Sequence, residues 1–203
     1  YDVRQLPGSL FERQLKHLRS RGYRFVSQDE LMDSLSKGRS GTKLVTLSID
    51  DGLRNVVTRA YPLMREYGAK GTFYVVPGLV GKGEMLWTDF VETVVRDAPS
   101  GEFHFRYRET DIRYRIDGEA SRRRTMKAIK RLLRSLPDRL RREHMEQFSH
   151  AELKNTPEEF ALADWSELRG LDPSVLTLGN HSMTHPNCAR LESNDELERE
   201  VRR

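Results

Sequence analysis

Leu44-Val-Thr-Leu-Ser-Ile49 runs directly into Asp50-Asp51-Gly52. The six leading residues are nearly all apolar or β-compatible and too few for a helix, so the stretch reads as a strand buried on both faces of a parallel sheet. The Asp-Asp-Gly turn then lies at the carboxyl end of that strand. In α/β folds this edge collects catalytic groups, because the strands aim them into one crevice. An ordinary Asp-Gly turn accounts for the same residues without any function. Two adjacent carboxylates brought close repel each other, and a cation or a proton relieves the repulsion, so a metal is a natural third party.

Downstream, Ala60, Leu63, Met64 and Tyr67 mark a helix stopped by Gly68, and Gly71-Thr-Phe-Tyr-Val-Val76 is the next strand, which completes a βαβ unit. Upstream, Ser9 is read as the cap of a helix carrying Leu10, Phe11, Leu15 and Leu18 to Gly22, followed by a short strand at Tyr23 to Val26. Ser27 and Glu30 have capping-box spacing and open a helix through Leu31 and Leu35, closed by Gly38. Past a Gly-rich loop at 77–84, a helix starts at Trp87 and runs to Val95. Alternating apolar residues over 102–116 predict a hairpin, and Met126, Ile129, Leu132, Leu133 and Leu136 predict a helix up to Pro137. A short helix over Leu140 to Phe148, one begun by Thr156 and Pro157, a helix start with a packed indole at Asp164-Trp165, a strand at Val175 to Leu178 and a helix capped by Ser193 and Glu196 complete the pass.

The length of 203 residues fits one domain, or one domain with an insertion, and argues against a second complete one. Composition and periodicity change at about 97–149, which reads as a basic hairpin-plus-helix insertion in a single domain over 1–203. With 36% hydrophobic and 33% charged residues the chain can bury a core. The single cysteine, Cys188, excludes a disulfide framework and a cysteine-based zinc cage within one chain. No apolar run approaches 18 residues and no charged segment followed by an apolar one opens the sequence, so neither a membrane span nor a signal peptide is expected. Cytoplasmic and cell-envelope locations both stay open.

The charge is local. From Arg96 to Arg142 there are 15 Lys or Arg against 7 Asp or Glu, a net of +8 in a chain whose total is +4, so the remainder carries −4. Arg106, Tyr107, Arg108, Arg113, Tyr114 and Arg115 interleave charge with aromatics, as single-stranded nucleic acid binders do. A half-buried hairpin shows the same alternation, and Arg122-Arg-Arg124 suits the solvated face of an amphipathic helix, so nucleic acid is the weaker reading. An anionic glycan or a membrane surface would use the same charge.

His181-Ser-Met-Thr-His185 places two imidazoles four residues apart after a predicted strand. Alone they read as loop histidines. Together with a carboxylate from the Asp50-Asp51 turn they form a common zinc set, two His and one carboxylate, that leaves a coordination position open. His17, His104, His144 and His150 have no such partners and read as surface or packing residues. Trp87 and Trp165 could stack on sugar rings but read better as core or half-core.

Ser48-Ile-Asp-Asp-Gly52 and His181-Ser-Met-Thr-His185-Pro186 together resemble the two signature motifs of the polysaccharide deacetylase family, the NodB-like carbohydrate esterases of family 4. Phe11 to Leu31, Gly71-Thr-Phe-Tyr-Val75 and Leu178-Gly-Asn-His181 agree with the motifs' flanks. The resemblance implies a distorted (β/α) barrel with a divalent metal, usually zinc, that removes acetyl groups from a polysaccharide or oligosaccharide. It implies Asp51, His181 and His185 as metal ligands and Asp50 as the general base. Ser48 and Ile49 stand where the family has Thr and Phe, both at supporting positions. The family's later Arg-x-Pro-Tyr, Asp-Trp and Leu-x-His segments find no match in order, so a C-terminally incomplete barrel is expected, with unpaired sheet edges that favour a homo-oligomer. A non-catalytic glycan-binding or scaffold protein on the same barrel is the alternative.

Overall fold

The computed structural model describes residues 6–38, 43–148 and 156–202. In chain order its elements are α1 (Gly8–Ser20), β1 (Arg24–Phe25), α2 (Gln28–Ser36), β2 (Leu44–Val45), β3 (Leu47–Ile49), α3 (Tyr61–Tyr67) and β4 (Gly71–Val75). They continue as α4 (Trp87–Asp97), β5 (Gly101–Tyr107), β6 (Thr110–Ile116), α5 (Glu119–Ser135), α6 (Asp138–Met145), α7 (Trp165–Arg169), β7 (Leu176–Asn180) and α8 (Asn194–Val201). The chain divides into two compact units, one drawn from 1–84 and 161–181, the other from 85–160 and 182–203.

The first unit is α/β. The strand read over 44–49 is present but interrupted at Thr46: β2 pairs in parallel with β1, and β3 pairs in parallel with β4. The run changes partner at Thr46, which a one-dimensional pattern does not register. β4 lies between β3 and β7, all parallel, so the described strands form an open sheet and close no barrel. Burial follows position in that sheet. β4, paired on both edges, buries four of its five residues, whereas Leu47 and Ile49 are half-buried and Ser48 is exposed, which corrects the expectation of burial on both faces. Leu15, Phe25, Val56, Met64, Phe73, Val75, Leu168 and Leu176 make the core.

Local chemistry explains most boundaries. Ser27 accepts from the Glu30 N–H while the Glu30 carboxylate accepts from the Ser27 N–H, so the capping box opens α2 as read. Ser9 does not cap α1: it lies inside the helix, and the Pro7 carbonyl takes the first N–H groups, those of Leu10 and Phe11. Val56–Ala60 adopts the wider π-helical turn before α3. Pro62 at the start of α3 offers no N–H and its ring crowds the carbonyl four residues back, which a wider turn accommodates. Thr156 and Pro157 begin no α-helix, only a 3₁₀ turn at Glu158–Phe160.

The second unit has its own core: Val91 and Val95 of α4, Phe105 and Ile116 of the hairpin, and Ile129 and Leu133 of α5. The hairpin forms in register from Gly101 opposite Ile116 to Tyr107 opposite Thr110, with Arg108 at φ 54 in the turn. Several of its basic residues face inward. Arg122 donates to the carbonyls of Val95, Arg96 and Ala98 at 2.6–2.8 Å and so satisfies the orphan acceptors at the end of α4; Arg123 and Arg124 alone keep the solvated position expected for all three. Lys130 meets Glu92 at 2.7 Å, both nearly buried. Arg106 exchanges backbone bonds with the Gln147 amide, and Tyr107 packs on the core.

Candidate metal centre

Asp51 follows β3, and His181 follows β7, at the same carboxyl edge of the three-stranded sheet. The His181 N–H donates to the Val75 carbonyl at 2.8 Å, which extends the β4 pairing one residue past β7 and fixes where the imidazole begins. A carboxylate oxygen of Asp51 then stands 3.3 Å from Nε2 of His181. The separation is that of an ion pair and also one at which two donor atoms can share a metal ion. Among the described residues, Asp51 and His181, both of the first unit, offer ligand atoms close enough to share one ion. Asp50 is exposed on the same turn.

The Asp51 turn is strained and braced. Asp51 and Gly52 have φ of 77 and 74, the left-handed region that a glycine enters freely and an aspartate enters at some cost. The strain is held by a short antiparallel pairing: the Ala163 N–H donates to the Gly52 carbonyl at 2.9 Å, the Arg54 N–H to the Ala161 carbonyl at 2.8 Å, and Leu53 faces Leu162. Asp164 caps α7 immediately after this brace, accepting from the N–H groups of Ser166 and Glu167. The Ser166 hydroxyl above all, and then those N–H groups, hold its carboxyl below the ordinary range. Glu167 meets Arg54 at 2.6 Å and ties the helix back to the turn. Trp165 stands 40% exposed near Gly81, so the packed indole expected there is not found.

The histidine turn is strained as well. Ser182 and His185 have φ of 65 and 57; with Asp51, three of the four non-glycine residues in this region among those described belong to the two motifs. Strain of this kind persists where the surroundings over-determine it. In the second unit, buried Glu200 of α8 accepts from the N–H and hydroxyl of Thr184 at 2.8 and 2.7 Å, and its carbonyl accepts from the Met183 N–H. The indole N–H of Trp87 donates to the His185 carbonyl at 3.1 Å, and the Asn187 amide to the Arg134 carbonyl at 3.2 Å. Trp87 is half-buried, as read.

Sequence reasoning missed Glu200, Trp87 and the brace at 161–163. The Asp164-x-x-Glu167 capping box was a legible signal for where α7 begins. No spacing rule announces the other contacts, because they join segments remote in the chain. Of the remaining histidines, His17 is exposed, His104 sits between Glu102 and Asp111, and His144 accepts from the Arg108 N–H at 2.9 Å and so packs against the hairpin turn. His150 lies outside the described residues. Cys188 is exposed. No helix among the described residues is long and apolar enough to cross a membrane.

Comparison with known proteins finds similarity to one family over part of the chain. The family model described as polysaccharide deacetylase matches residues 37–115, which takes in the Asp50-Asp51-Gly52 turn and extends into the stretch read as an insertion. Poly-beta-1,6-N-acetyl-D-glucosamine N-deacetylase of Staphylococcus aureus (strain MSSA476) is 30% identical over 82 residues, 40% of this chain and 27% of that protein. The YxkH protein of Bacillus subtilis (strain 168) is 26% identical over 101 residues, 49% of this chain and 36% of that one. The chain thus spans about a third of the length of these curated relatives. A solved Streptococcus pyogenes deacetylase, PplD, in complex with acetate aligns with TM-score 0.48 and 18% identity, covering 96% of this chain and 53% of that chain. IcaB from Ammonifex degensii aligns with TM-score 0.46 and 19% identity, covering 87% and 45%. Over residues 37–115, then, the chain is similar to the polysaccharide deacetylase family and to the relatives aligned there.

Proposed function

We propose that this chain carries the metal-binding and base-supplying part of an enzyme that hydrolyses acetamides on a sugar polymer. Asp51, His181 and His185 hold one divalent cation, zinc by the chemistry of two imidazoles and a carboxylate. The observation that carries the reading is the 3.3 Å approach of Asp51 to Nε2 of His181 at one edge of the parallel sheet. His185 follows four residues later along a held turn, which keeps it within reach of the same ion by covalent connection alone. A cation bound there supplies Lewis acidity: it polarises the acyl carbonyl and acidifies water. Asp50, exposed and adjacent to Asp51 in the chain, is the carboxylate assigned as the base for the attacking water, and its exposure beside a proposed ligand supports that role.

The choice of an N-acetylated over an O-acetylated polymer rests on the N-deacetylase named among the relatives. The basic segment at 97–149 is proposed to meet an anionic or glycan surface, with the exposed Arg113, Arg115, Arg123 and Arg124 among the groups available to it.

The test is acetate release from an acetylated β-1,6-linked glucosamine oligomer and from an acetylated xylan, before and after chelation and zinc restoration. Asp50→Asn is expected to retain metal while lowering turnover on the order of 100-fold to 10,000-fold. Asp51→Asn is expected to lose metal and activity together. The reverse pattern would show the two aspartates exchanged in role. Glycan binding by the zinc-loaded protein without acetate release would establish the non-catalytic alternative.

A further inference from the structure

The second unit contains a chain of contacts that ends on His185, and we infer that Trp87 is a positioning residue for that histidine. The inference rests on His185 being a metal ligand. Its starting point is the indole N–H of Trp87, which donates to the His185 carbonyl at 3.1 Å. His185 needs such a hold, because its φ of 57 places a side chain with Cβ in a region that most residues avoid. A backbone in that region relaxes unless something fixes its peptide plane, and relaxation would swing the imidazole away from its place.

Trp87 is itself fixed from behind. The guanidinium of Arg141 lies 4.9 Å from the Trp87 ring centroid, within the range at which a cation over an indole face is attracted. Arg141 is buried, and its Nε and terminal nitrogen both donate to Oδ1 of Asp138, likewise buried. The sequence of fixed groups is therefore Asp138 to Arg141 to the Trp87 ring, and from the Trp87 N–H to the His185 carbonyl. Asn187, two residues further on, fastens the same segment to the end of α5 through the Arg134 carbonyl. All of these residues belong to the unit formed by 85–160 and 182–203.

This gives part of the basic segment a task other than binding polyanions. Arg141 and Asp138 lie within the stretch whose charge first suggested a surface contact, yet both are buried and form one face of the support for a ligand. Groups that orient metal ligands typically change metal affinity by about 10-fold to 100-fold when removed.

The experiment measures the zinc dissociation constant by competition with a chromophoric chelator, and the visible spectrum of the cobalt(II)-substituted protein, for wild type, Trp87→Phe and His185→Ala. Thermal unfolding of the metal-free proteins is followed alongside. Trp87→Phe keeps an aromatic ring under Arg141 and removes the donor. The expected result is a loss of zinc affinity of about 10-fold or more with an altered cobalt spectrum, at a melting temperature close to wild type. An unchanged affinity and spectrum in Trp87→Phe, with His185→Ala strongly weakened, would overturn the positioning role and leave the metal reading standing. Unchanged affinity in His185→Ala would instead remove the metal reading on which the inference depends. Should Trp87→Phe not fold, Arg141→Lys takes its place: it keeps the charge and the indole N–H but loses the planar stack. A several-fold loss of zinc affinity there supports the inference, and no loss overturns it.

Discussion

At the scale of single residues, the positions proposed to carry the chemistry stood out in the sequence and their supports did not. Asp50, Asp51, His181 and His185 stand out only in combination, because two strand-end turns together offer two imidazoles and a carboxylate, while each motif alone reads as an ordinary loop. Trp87 and Glu200 carry no such signature: an indole N–H and a carboxylate are common groups, and only the fold brings them to the histidine turn. Gly71 is a case between these. Its sequence role was the start of a strand, whereas its structural role is close approach. A Cβ built there would lie 2.5 Å from the Leu47 carbonyl oxygen and 3.1 Å from its carbonyl carbon, backbone that cannot move aside cheaply. Gly71→Ala is therefore expected to push β3 away from β4 and cost about 1–3 kcal/mol, read as a lower urea midpoint at unchanged slope. The displaced strand leads into Asp51 four residues after Leu47, so weaker zinc binding should accompany the lost stability. A midpoint equal to wild type would mean that the strands are not packed as tightly as these distances state.

Among elements, caps were read well where the capping group is a side chain and poorly where it is not. Ser27-x-x-Glu30 and Ser193-x-x-Glu196 name their own helices, because the hydroxyl and the N–H that it accepts from are three residues apart in sequence. α1 begins at a proline carbonyl, a group every residue possesses, so the nearby Ser9 was the wrong choice. The interruption at Thr46 escaped for the same kind of reason: strand pattern reports which residues suit a sheet, not which neighbour each half of the strand finds.

Asp164 shows what a side-chain cap implies for solution behaviour. Its folded carboxyl titrates below the ordinary aspartate value, so its contribution is fully present above about pH 4 and is lost as pH falls through the lowered folded value. Asp164→Asn keeps an acceptor for the cap but does not titrate. Wild type is expected to be the more stable protein at pH 7, with the gap closing steadily below about pH 4. Unfolding curves at a series of pH values check this, and a gap that stays constant down to pH 2 would show that the Asp164 charge has no part in the cap.

At the scale of the whole molecule, composition marked the change of character near residue 97, but the second core is wider than that change. That core starts at α4, and the unit around it also takes in the chain after His181, since α4 carries no unusual composition and is grouped only by what it packs on. The parallel pairing of β4 with β7 joins Thr72 to Thr177, 105 residues apart in the chain. That pairing sets a schedule. Closing a long loop costs entropy before any contact repays it, whereas the hairpin and the α5 face against it are local and close early. During synthesis, residues 85–148 emerge and can gather their own apolar side chains while β4 still waits for its second neighbour. Refolding should therefore protect the amides of β5, β6 and α5 from hydrogen exchange before those of β7, and zinc should alter only the later phase. Simultaneous protection would place the long-range pairing in the rate-limiting nucleus. If Asp51 and His181 share a metal as proposed, their site forms only once β7 has paired, so metal capture would report that pairing, and a chain stalled before it would carry Asp51 without its imidazole partner.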